Sequence, residues 1–252
     1  SNALFAFDYD GTLAPIVEDP SKAFMRPTTA NLLSELVSFA PVALISGRSR
    51  ADVNRLLNGK VDFVIGNHGL EGIPGGSTSL ENAESSCKKW SEKLSAELKL
   101  DGVTVEDKKY SLAVHYRMAT DKRGAKAHIL ELASSLEPSP RIVMGKCVVN
   151  LISAGAPHKG VALLEVMLRS GCRSAVYFGD DDNDEDVFRL GEESLLTVRI
   201  GKSENSSALF YLNSQEEIDQ VLRVSWAAMV KAGKNVREEI KMRNDDEVAV
   251  NN

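Results

Sequence analysis

The chain has few cysteines: three in 252 residues, at Cys87, Cys147 and Cys172, with no Cys-x-x-Cys spacing. Disulfide frameworks need paired cysteines and zinc sites need closely spaced ones, so neither is expected here. A small, odd number of scattered cysteines is typical of reduced thiols. We therefore expect a cytoplasmic protein.

A surplus of positive charge and long apolar runs are also absent. The formal net charge is -6, whereas nucleic-acid binding requires a basic face. No apolar run approaches the roughly 20 residues that span a bilayer, and the first run ends at Asp8, unlike a signal peptide. We expect no nucleic-acid partner and no membrane span. Residues 1–3 are interpreted as a tag remnant, and the polar residues 232–252 as a mobile tail.

The order of apolar runs predicts an α/β fold with an insertion. Short buried strands alternate with helical patterns in residues 4–73 and 156–230, which is typical of a doubly wound parallel sheet with a Rossmann-like core. Residues 74–155 instead show a helix and two strands, twice, which predicts an inserted α+β cap domain of order αββαββ. The boundary is placed at residues 74–77. Two helix starts are predicted: an N-cap at Thr28 or Thr29, and a capping box of Ser214 with Glu217.

Two carboxylates one residue apart, Asp8 and Asp10, follow the first apolar strand directly. The carboxyl ends of parallel strands are where open α/β sheets bind ligands. Gly11 allows close approach of the backbone, and the neighbouring N–H groups can form an anion-binding nest. The two carboxylates indicate a metal site, a carboxylate nucleophile or both, although an ordinary Asp-Gly turn is the simpler alternative.

Three further sites follow the same logic. Ser46 ends a buried strand, where its hydroxyl can donate to a phosphate or simply make a turn, and Arg48 suits a phosphate, a sugar hydroxyl or a surface ion pair. Lys159 begins a helix, where the dipole disfavours a cation, so an anionic partner or plain solvation is expected. Residues 180–184, Asp-Asp-Asp-Asn-Asp, follow a strand and predict a Mg²⁺ site or a solvated acidic loop.

Together, these four elements resemble the four motifs of the haloacid dehalogenase superfamily of phosphoryl-transfer enzymes. The resemblance implies that Asp8 forms an aspartyl-phosphate, while Asp10 protonates the leaving oxygen and then activates water. It implies that Ser46 and Lys159 hold the phosphoryl group. It also implies Mg²⁺ on Asp8, the carbonyl of Asp10, and Asp180, with support from Asp181 and Asp184.

Longer matches resemble the trehalose-6-phosphate phosphatase family within that superfamily. They include Asp8 to Ile16, Ser46-Gly47-Arg48, His68-Gly69-x-Glu71, Glu106-x-Lys108, His115-Tyr116-Arg117 and Gly179 to Asp186. The resemblance implies a cap that closes over a sugar, and the substrate-binding positions Gly11, Thr12, Gly47, Arg48, His68, Gly69, Glu71, Glu106, Lys108, Arg117 and Asn150. Two positions depart from the family pattern: Asn150 replaces the usual Glu, and Asn183 replaces a common Thr.

The expected function is a Mg²⁺-dependent sugar-phosphate phosphatase, with trehalose 6-phosphate as the first substrate to test. Phosphatases for sucrose phosphate or glucosylglycerol phosphate are nearby alternatives, as is a phosphomutase. A non-catalytic sugar-phosphate-binding domain is the alternative from another class. The resemblance also suggests action beside, or fused to, a trehalose-6-phosphate synthase. An oxygen-rich site suits Mn²⁺ as well as Mg²⁺, so the metal stays open.

Overall fold

The computed structural model describes residues 3–57, 59, 61–73 and 77–231. Predictions for residues 1–2, for the boundary residues 74–76 and for the tail at 232–252 lie outside this range. Ala3 begins the first strand. None of the helices in the described part of the chain is both long enough and apolar enough to cross a membrane.

A parallel sheet of six strands forms the core, in the order β10-β9-β8-β1-β2-β3. Its strands are β1 (Ala3–Phe7), β2 (Val42–Ile45), β3 (Phe63–Ile65), β8 (Ser174–Gly179), β9 (Leu195–Ile200) and β10 (Phe210–Leu212). The helices that follow them are α1 (Pro27–Val37), α2 (Arg50–Leu56), α5 (Lys159–Ser170), α6 (Glu185–Phe188) and α7 (Ile218–Lys231). The predicted doubly wound core is confirmed, and the edge strand β10 was not predicted from the sequence.

Both faces of the core sheet are buried. Phe5 and Phe7 of β1 point into a cluster with α1 and α7, whereas Leu4 and Ala6 point into a second cluster with α5. Side chains alternate between the two faces of a strand, so a strand covered on both sides is apolar throughout. This explains why the first strand is a continuous apolar run.

The cap, residues 77–153, is a four-stranded antiparallel sheet in the order β4-β5-β7-β6. Its elements are α3 (Ser77–Glu97), β4 (Thr104–Asp107), β5 (Ser111–His115), α4 (Lys122–Ser134), β6 (Pro140–Gly145) and β7 (Val148–Ser153). This is the predicted αββαββ order. The cap has a separate hydrophobic cluster around Trp90, Leu112, Ile129 and Leu151.

The segments that lead into and out of the cap lie side by side. A Cβ added at Gly69 would lie 2.7 Å from the carbonyl oxygen of His158. The Ser111 hydroxyl donates to the Asn67 side-chain oxygen at 2.7 Å, and both residues are fully buried. The cap therefore begins and ends at one place on the core.

One predicted helix start is wrong, and a second, at Ser214, has the predicted position but not the predicted hydrogen bonds. Helix α1 begins at Pro27 after Arg26, because proline suits the first helical position, and neither Thr28 nor Thr29 caps it. The hydroxyl of Thr29 instead donates to Asp219. The side chain of Ser214 makes no capping hydrogen bond. The carboxylate of Glu217 accepts instead from the backbone N–H of Asn213.

A capping box does occur elsewhere. Asp181 and Asp184 form this box at the turn that precedes α6. The Asp181 side chain accepts from the backbone at Asp184, and the Asp184 side chain accepts from the backbone N–H of Asp181. These are two of the acids that the sequence marked as metal-site candidates. The box gives the acidic loop a defined shape, with the Asp184 carboxylate facing the end of β8.

Candidate active site

The predicted motif residues converge on one edge of the core sheet. Asp8 follows β1, Ser46 follows β2 and Asp180 follows β8, and β1 lies between the other two strands. Lys159 begins α5, which packs against the same sheet. Parallel strands end at a common edge, so the strand order alone places these side chains together.

Lys159 lies between two carboxylates. Its side chain is 1% exposed, and its Nζ lies 3.1 Å from Asp8 Oδ1 and 2.8 Å from Asp184 Oδ1. Burial alone would lower the pKa of Lys159, but the carboxylates of Asp184 and Asp8 outweigh burial and raise it. The predicted anionic partner of this helix N-terminus is thus confirmed, and the lysine is a fixed positive charge beside Asp8.

Asp184 uses both carboxylate oxygens to hold its surroundings. Oδ1 accepts from Lys159 and from the Tyr177 hydroxyl at 2.6 Å, and Oδ2 accepts from the backbone N–H groups of Asp180 and Asp181 at 2.9 and 3.0 Å. A carboxylate offers about four lone-pair sites, and all four are engaged. Asp184 therefore organises the acidic loop and orients Lys159.

The donor set fits a hard divalent cation. Oxygens of Asp8, Asp180 and Asp184 lie within 4.8 Å of one another, and all three residues are buried. Three buried carboxylates repel each other, and a cation that collects their oxygens relieves that repulsion. Asp184 already accepts four hydrogen bonds, so Asp8 and Asp180 are the members of the set with lone pairs left for a cation. The cluster can therefore bind a metal ion.

Burial raises the pKa values of three acids at this site, Asp8, Asp180 and Asp181. Desolvation raises the pKa of Asp8 well above its usual value, and Lys159 offsets only part of this. Desolvation also raises the pKa of Asp180 to about 6, although the ammonium of Lys146 opposes the shift. The pKa of Asp181 is raised for the same reason. A bound cation would favour the ionised forms of all three.

Asp10 is held by Arg48. Arg48 Nε donates to Asp10 Oδ2 at 2.6 Å, and Nη2 donates to Asp10 Oδ1 at 2.7 Å, so both carboxylate oxygens are fixed. The Asp10 side chain is 35% exposed at the wall of the cavity, whereas that of Arg48 is 10% exposed. This is the bidentate fork geometry in which arginine binds carboxylates.

The turn after Asp10 brings the backbone against the acids. Gly11 has a φ of +75°, and a Cβ at this position would lie 2.1 Å from Asp180 Oδ2, so only glycine fits. Its N–H donates to the carbonyl of Ala14 and is used within the turn. The Thr12 hydroxyl is buried without a hydrogen-bond partner among the described residues. The turn therefore positions Asp8 and Asp180, and the Gly11 N–H itself faces no anion.

A cavity of about 590 Å³ lies between the core and the cap. Most of the predicted site residues line it: Asp8, Asp10, Ser46, Gly47, Arg48, His68, Glu106, Lys108, Arg117, Asn150, Asp180 and Asp181. Gly11, Thr12, Gly69, Glu71, Lys159 and Asp184 are not among its lining residues. The carboxylate of Glu71 accepts from the backbone N–H of Arg50 and the side chain of Asn67. Glu71 thus braces the loop that carries His68.

His68 and Asn150 both lie in the wall of the cavity. Both are nearly fully buried, at 3% and 4% exposure, and neither ring nitrogen of His68 has a partner among the described residues. Desolvation, with the nearby charges of Lys108, Lys159 and Arg141, lowers the pKa of His68 well below its usual value. A neutral imidazole offers one donor and one acceptor, which suits the hydroxyls of a sugar.

The cap supplies the charged rim of the cavity. Lys108 Nζ donates to the carbonyl of Gly47 at 3.1 Å, which links cap and core, and desolvation lowers its pKa. Glu106 Oε2 pairs with His115 Nε2 at 2.8 Å. Arg117 is exposed and makes a long bond to the carbonyl of Lys146. Acidic and basic groups of the cap thus both line the cavity.

Lys146 and Tyr177 were not predicted as site residues. Lys146 lies in the tight turn between β6 and β7, and its Nζ contacts Asp180 Oδ2 at 2.8 Å. In the sequence, Lys146 is only a basic residue in the stretch Gly145-Lys146-Cys147, and nothing distinguishes this stretch from an ordinary exposed turn. Tyr177 lies inside an apolar strand, and nothing in its sequence context distinguishes it from a core residue.

Comparison with known proteins gives one consistent result. The family model described as trehalose-phosphatase matches residues 6–216. The trehalose-phosphate phosphatase of Mycobacterium tuberculosis strain H37Rv is 31% identical over 227 residues, covering 84% of this chain and 58% of the relative. Trehalose-phosphate phosphatase B of Arabidopsis thaliana is 28% identical over 247 residues, covering 87% and 65%. The chain thus spans somewhat more than half the length of these relatives.

The solved structures agree on the architecture. The crystal structure of a trehalose-6-phosphate phosphatase related protein has a TM-score of 0.75, with 24% identity over 91% of this chain and 100% of that one. At that identity the likeness supports the fold alone. It includes the parallel core and the inserted cap.

Proposed function

Since the chain belongs to the trehalose-phosphatase family, we propose that it hydrolyses trehalose 6-phosphate to trehalose and phosphate. One observation carries this proposal: Asp8, Asp10 and Ser46 line the floor of a cavity whose opening is lined by polar cap residues, and the buried Lys159 contacts Asp8 at 3.1 Å. The floor suits a phosphoryl group, and the polar opening suits a hydroxylated leaving group.

The proposed reaction has two steps. A carboxylate oxygen of Asp8 attacks phosphorus and the bond to the sugar oxygen breaks, while Asp10 donates a proton to that oxygen. Water then attacks the aspartyl-phosphate, Asp10 accepts a proton from it, and Asp8 is regenerated as phosphate leaves. Lys159 and the Ser46 hydroxyl hold the phosphoryl oxygens. Phosphoryl transfer depends mainly on such positioning and charge neutralisation.

The proposed cofactor is Mg²⁺, held by Asp8, Asp180 and the carbonyl of Asp10, with Asp181 and Asp184 in support. When bound, the ion would neutralise charge on the phosphoryl oxygens. The three buried carboxylates of Asp8, Asp180 and Asp184, and the raised pKa values of Asp8 and Asp180, support this assignment. Mn²⁺ suits the same oxygen ligands, so both ions belong in the test.

Sugar recognition is assigned to the polar residues at and around the cavity. We infer that Glu106, Lys108, Arg117, His68 and Asn150 bind the hydroxyls, and that Gly47 and Arg48 shape the floor. Gly11, Thr12, Gly69 and Glu71 act through the loops that they hold. A wrong sugar would leave buried groups such as His68 unpaired, and such groups discriminate strongly.

The wider assignments are proposals of the same kind. Residues 4–73 and 156–230 would form the catalytic core, and residues 74–155 a cap that closes over the sugar and excludes water. The three cysteines are free thiols, in keeping with a cytoplasmic location. An action beside or fused to a trehalose-6-phosphate synthase is part of the proposal.

The decisive experiment is phosphate release from trehalose 6-phosphate by the full chain. We expect multiple turnovers with Mg²⁺, none with chelator, and a loss of at least about a thousandfold in D8N. D182N is the matched control, since Asp182 belongs to the same acidic loop but its side chain is 79% exposed. Its activity should stay near that of the wild type.

The other outcomes separate the alternatives. Asp8-dependent release from sucrose phosphate or glucosylglycerol phosphate, but not from trehalose 6-phosphate, would keep the mechanism and change the substrate. Transfer of the phosphoryl group between sugar positions would indicate a mutase. Binding of the sugar phosphate without turnover would favour the non-catalytic domain.

A further inference from the structure

Arg48 already uses almost all of its hydrogen-bond donors within the protein. Nε and Nη2 donate to the two oxygens of Asp10, Nη1 donates to Asp52 Oδ2, and Nη2 also donates to the carbonyl of Pro20 at 2.9 Å. A guanidinium has five N–H donors, so four are committed. An arginine that binds a phosphate or a sugar needs free N–H donors on its guanidinium group.

The surroundings fix Arg48 from three sides. Asp52 in the first turn of α2 is also held by Arg55, and the Ser49 hydroxyl caps that helix at the backbone of Asp52. The guanidinium carbon lies 5.9 Å from the centre of the Tyr9 ring. The carboxylates of Asp10 and Asp52 outweigh burial and raise the pKa of Arg48. The arginine is therefore a rigid, permanent cation.

Asp10 is the more exposed partner of the pair and faces the cavity. Its side chain lies at the cavity wall and turns about two single bonds. Two N–H groups of Arg48 each bind one lone pair of an Asp10 oxygen, which fixes the plane of the carboxylate. The second lone pair of each oxygen stays available. Groups that transfer protons must be placed to within a fraction of an ångström, and neighbouring hydrogen bonds supply that precision.

We propose that Arg48 is a positioning residue that sets the orientation of the Asp10 carboxylate at the reacting phosphate, rather than a ligand of the substrate. The Asp52 contact and the Pro20 carbonyl are the supports of this arrangement. The inference rests on the proposed function, because Asp10 transfers protons only if the chain is a phosphatase.

A double-mutant cycle tests the inference. Wild type, R48Q, D10N and R48Q/D10N are compared in phosphate release from trehalose 6-phosphate with Mg²⁺. We expect R48Q to lower kcat about 100-fold, since general acid–base catalysis is worth at least that much, with little change in KM. In the D10N background the same substitution should cost no more than about twofold. Equal losses in both backgrounds would overturn the proposal.

Substrate affinity provides an independent readout. D8N and D8N/R48Q, which do not turn over, are titrated with trehalose 6-phosphate. A Kd that changes by less than about threefold supports a positioning role, and weakening of about tenfold or more shows that Arg48 binds the substrate and overturns the inference. R123Q is the control, because Arg123 is an exposed arginine on α4 that does not line the cavity. Its kcat should match that of the wild type.

Two further results complete the design. If thermal unfolding shows that R48Q does not fold, R48K takes its place under the same criteria, since lysine keeps the charge but loses the fork. If the wild type itself releases no phosphate, the proposed function fails and the inference falls with it. If the wild type turns over but the cycle is additive, only the assignment of Arg48 fails.

Discussion

At the scale of single residues, the buried cation Lys159 is the group on which the site most depends. It is the only cation within hydrogen-bond distance of Asp8 in the described chain, and it shares Asp184 with Tyr177. The sequence predicted the need for an anionic partner from the helix dipole. The identity of Asp184 as the second partner depends on the capping box of the acidic loop, which spacing alone does not reveal.

K159M is expected to unfold more easily and to lose activity. Removing one member of a buried charge pair leaves the other carboxylates unpaired, which costs about 3–5 kcal/mol. Urea unfolding at pH 7 in chelator would measure this. R169Q on the same helix is the control, because its pair with Glu165 is exposed and worth less than about 1 kcal/mol. Equal effects of the two substitutions would contradict the assignment.

At the scale of elements, the strand ends decide what could be predicted. Asp8, Ser46 and Asp180 were found because a carboxylate or hydroxyl directly after a buried strand is a visible pattern, and the parallel order brings such residues together. Arg48 and Lys146 make their contacts across elements distant in sequence, at Asp10 and Asp180. Their partners follow from how the loops and the cap fold, which local patterns do not encode. The edge strand β10 was missed because Phe210 and Tyr211 are exposed, so the strand is defined by its pairing with β9 and not by a buried apolar pattern.

The acids at these strand ends predict a pH dependence of stability. The folded protein binds the Asp180 proton more tightly than the unfolded chain, because its pKa rises from 3.8 to about 6. The contribution of Asp180 to the free energy of unfolding should therefore fall as pH rises from about 4 to about 6 in the absence of metal. Thermal unfolding in chelator from pH 4 to pH 7 would show this as a growing advantage of D180N over wild type.

Adding Mg²⁺ should reverse that advantage. A metal that binds only the folded state raises its stability, and protons compete with metal for raised-pKa carboxylates. We expect a larger increase in Tm at pH 7 than at pH 4.5 for the wild type, and little change for D180N. The same increase at both pH values would argue against a metal site at Asp180.

At the scale of the whole molecule, the cap and core meet on both sides of the cavity. Lys108 reaches the carbonyl of Gly47 on one side, and Lys146 reaches Asp180 on the other. The second contact places an ammonium on a carboxylate that is proposed to hold the metal. Closure of the cap, as proposed, would therefore change the charge at the proposed metal site.

K146Q is expected to bind Mg²⁺ more tightly than the wild type, because the ammonium and the ion compete for Asp180 Oδ2. The Lys146 side chain is 56% exposed, so the gain should be small, about two- to fivefold. Calorimetric titration at pH 7 would measure it. K126Q, which alters an exposed cap lysine on α4, should leave the affinity unchanged. Unchanged or weaker binding by K146Q would contradict the competition.

The contact between Gly69 and His158 has a consequence for how such proteins can diversify. The chain leaves the core and returns to it at one point. For the core, the inserted cap is therefore equivalent to a short surface loop whose two ends lie together. The entropic cost of closing a loop grows only slowly with its length. An insertion whose two ends lie together therefore lowers the stability of the core very little. Under the proposed function, a different cap sequence would change which leaving group is accepted and would leave the phosphoryl chemistry of the core in place.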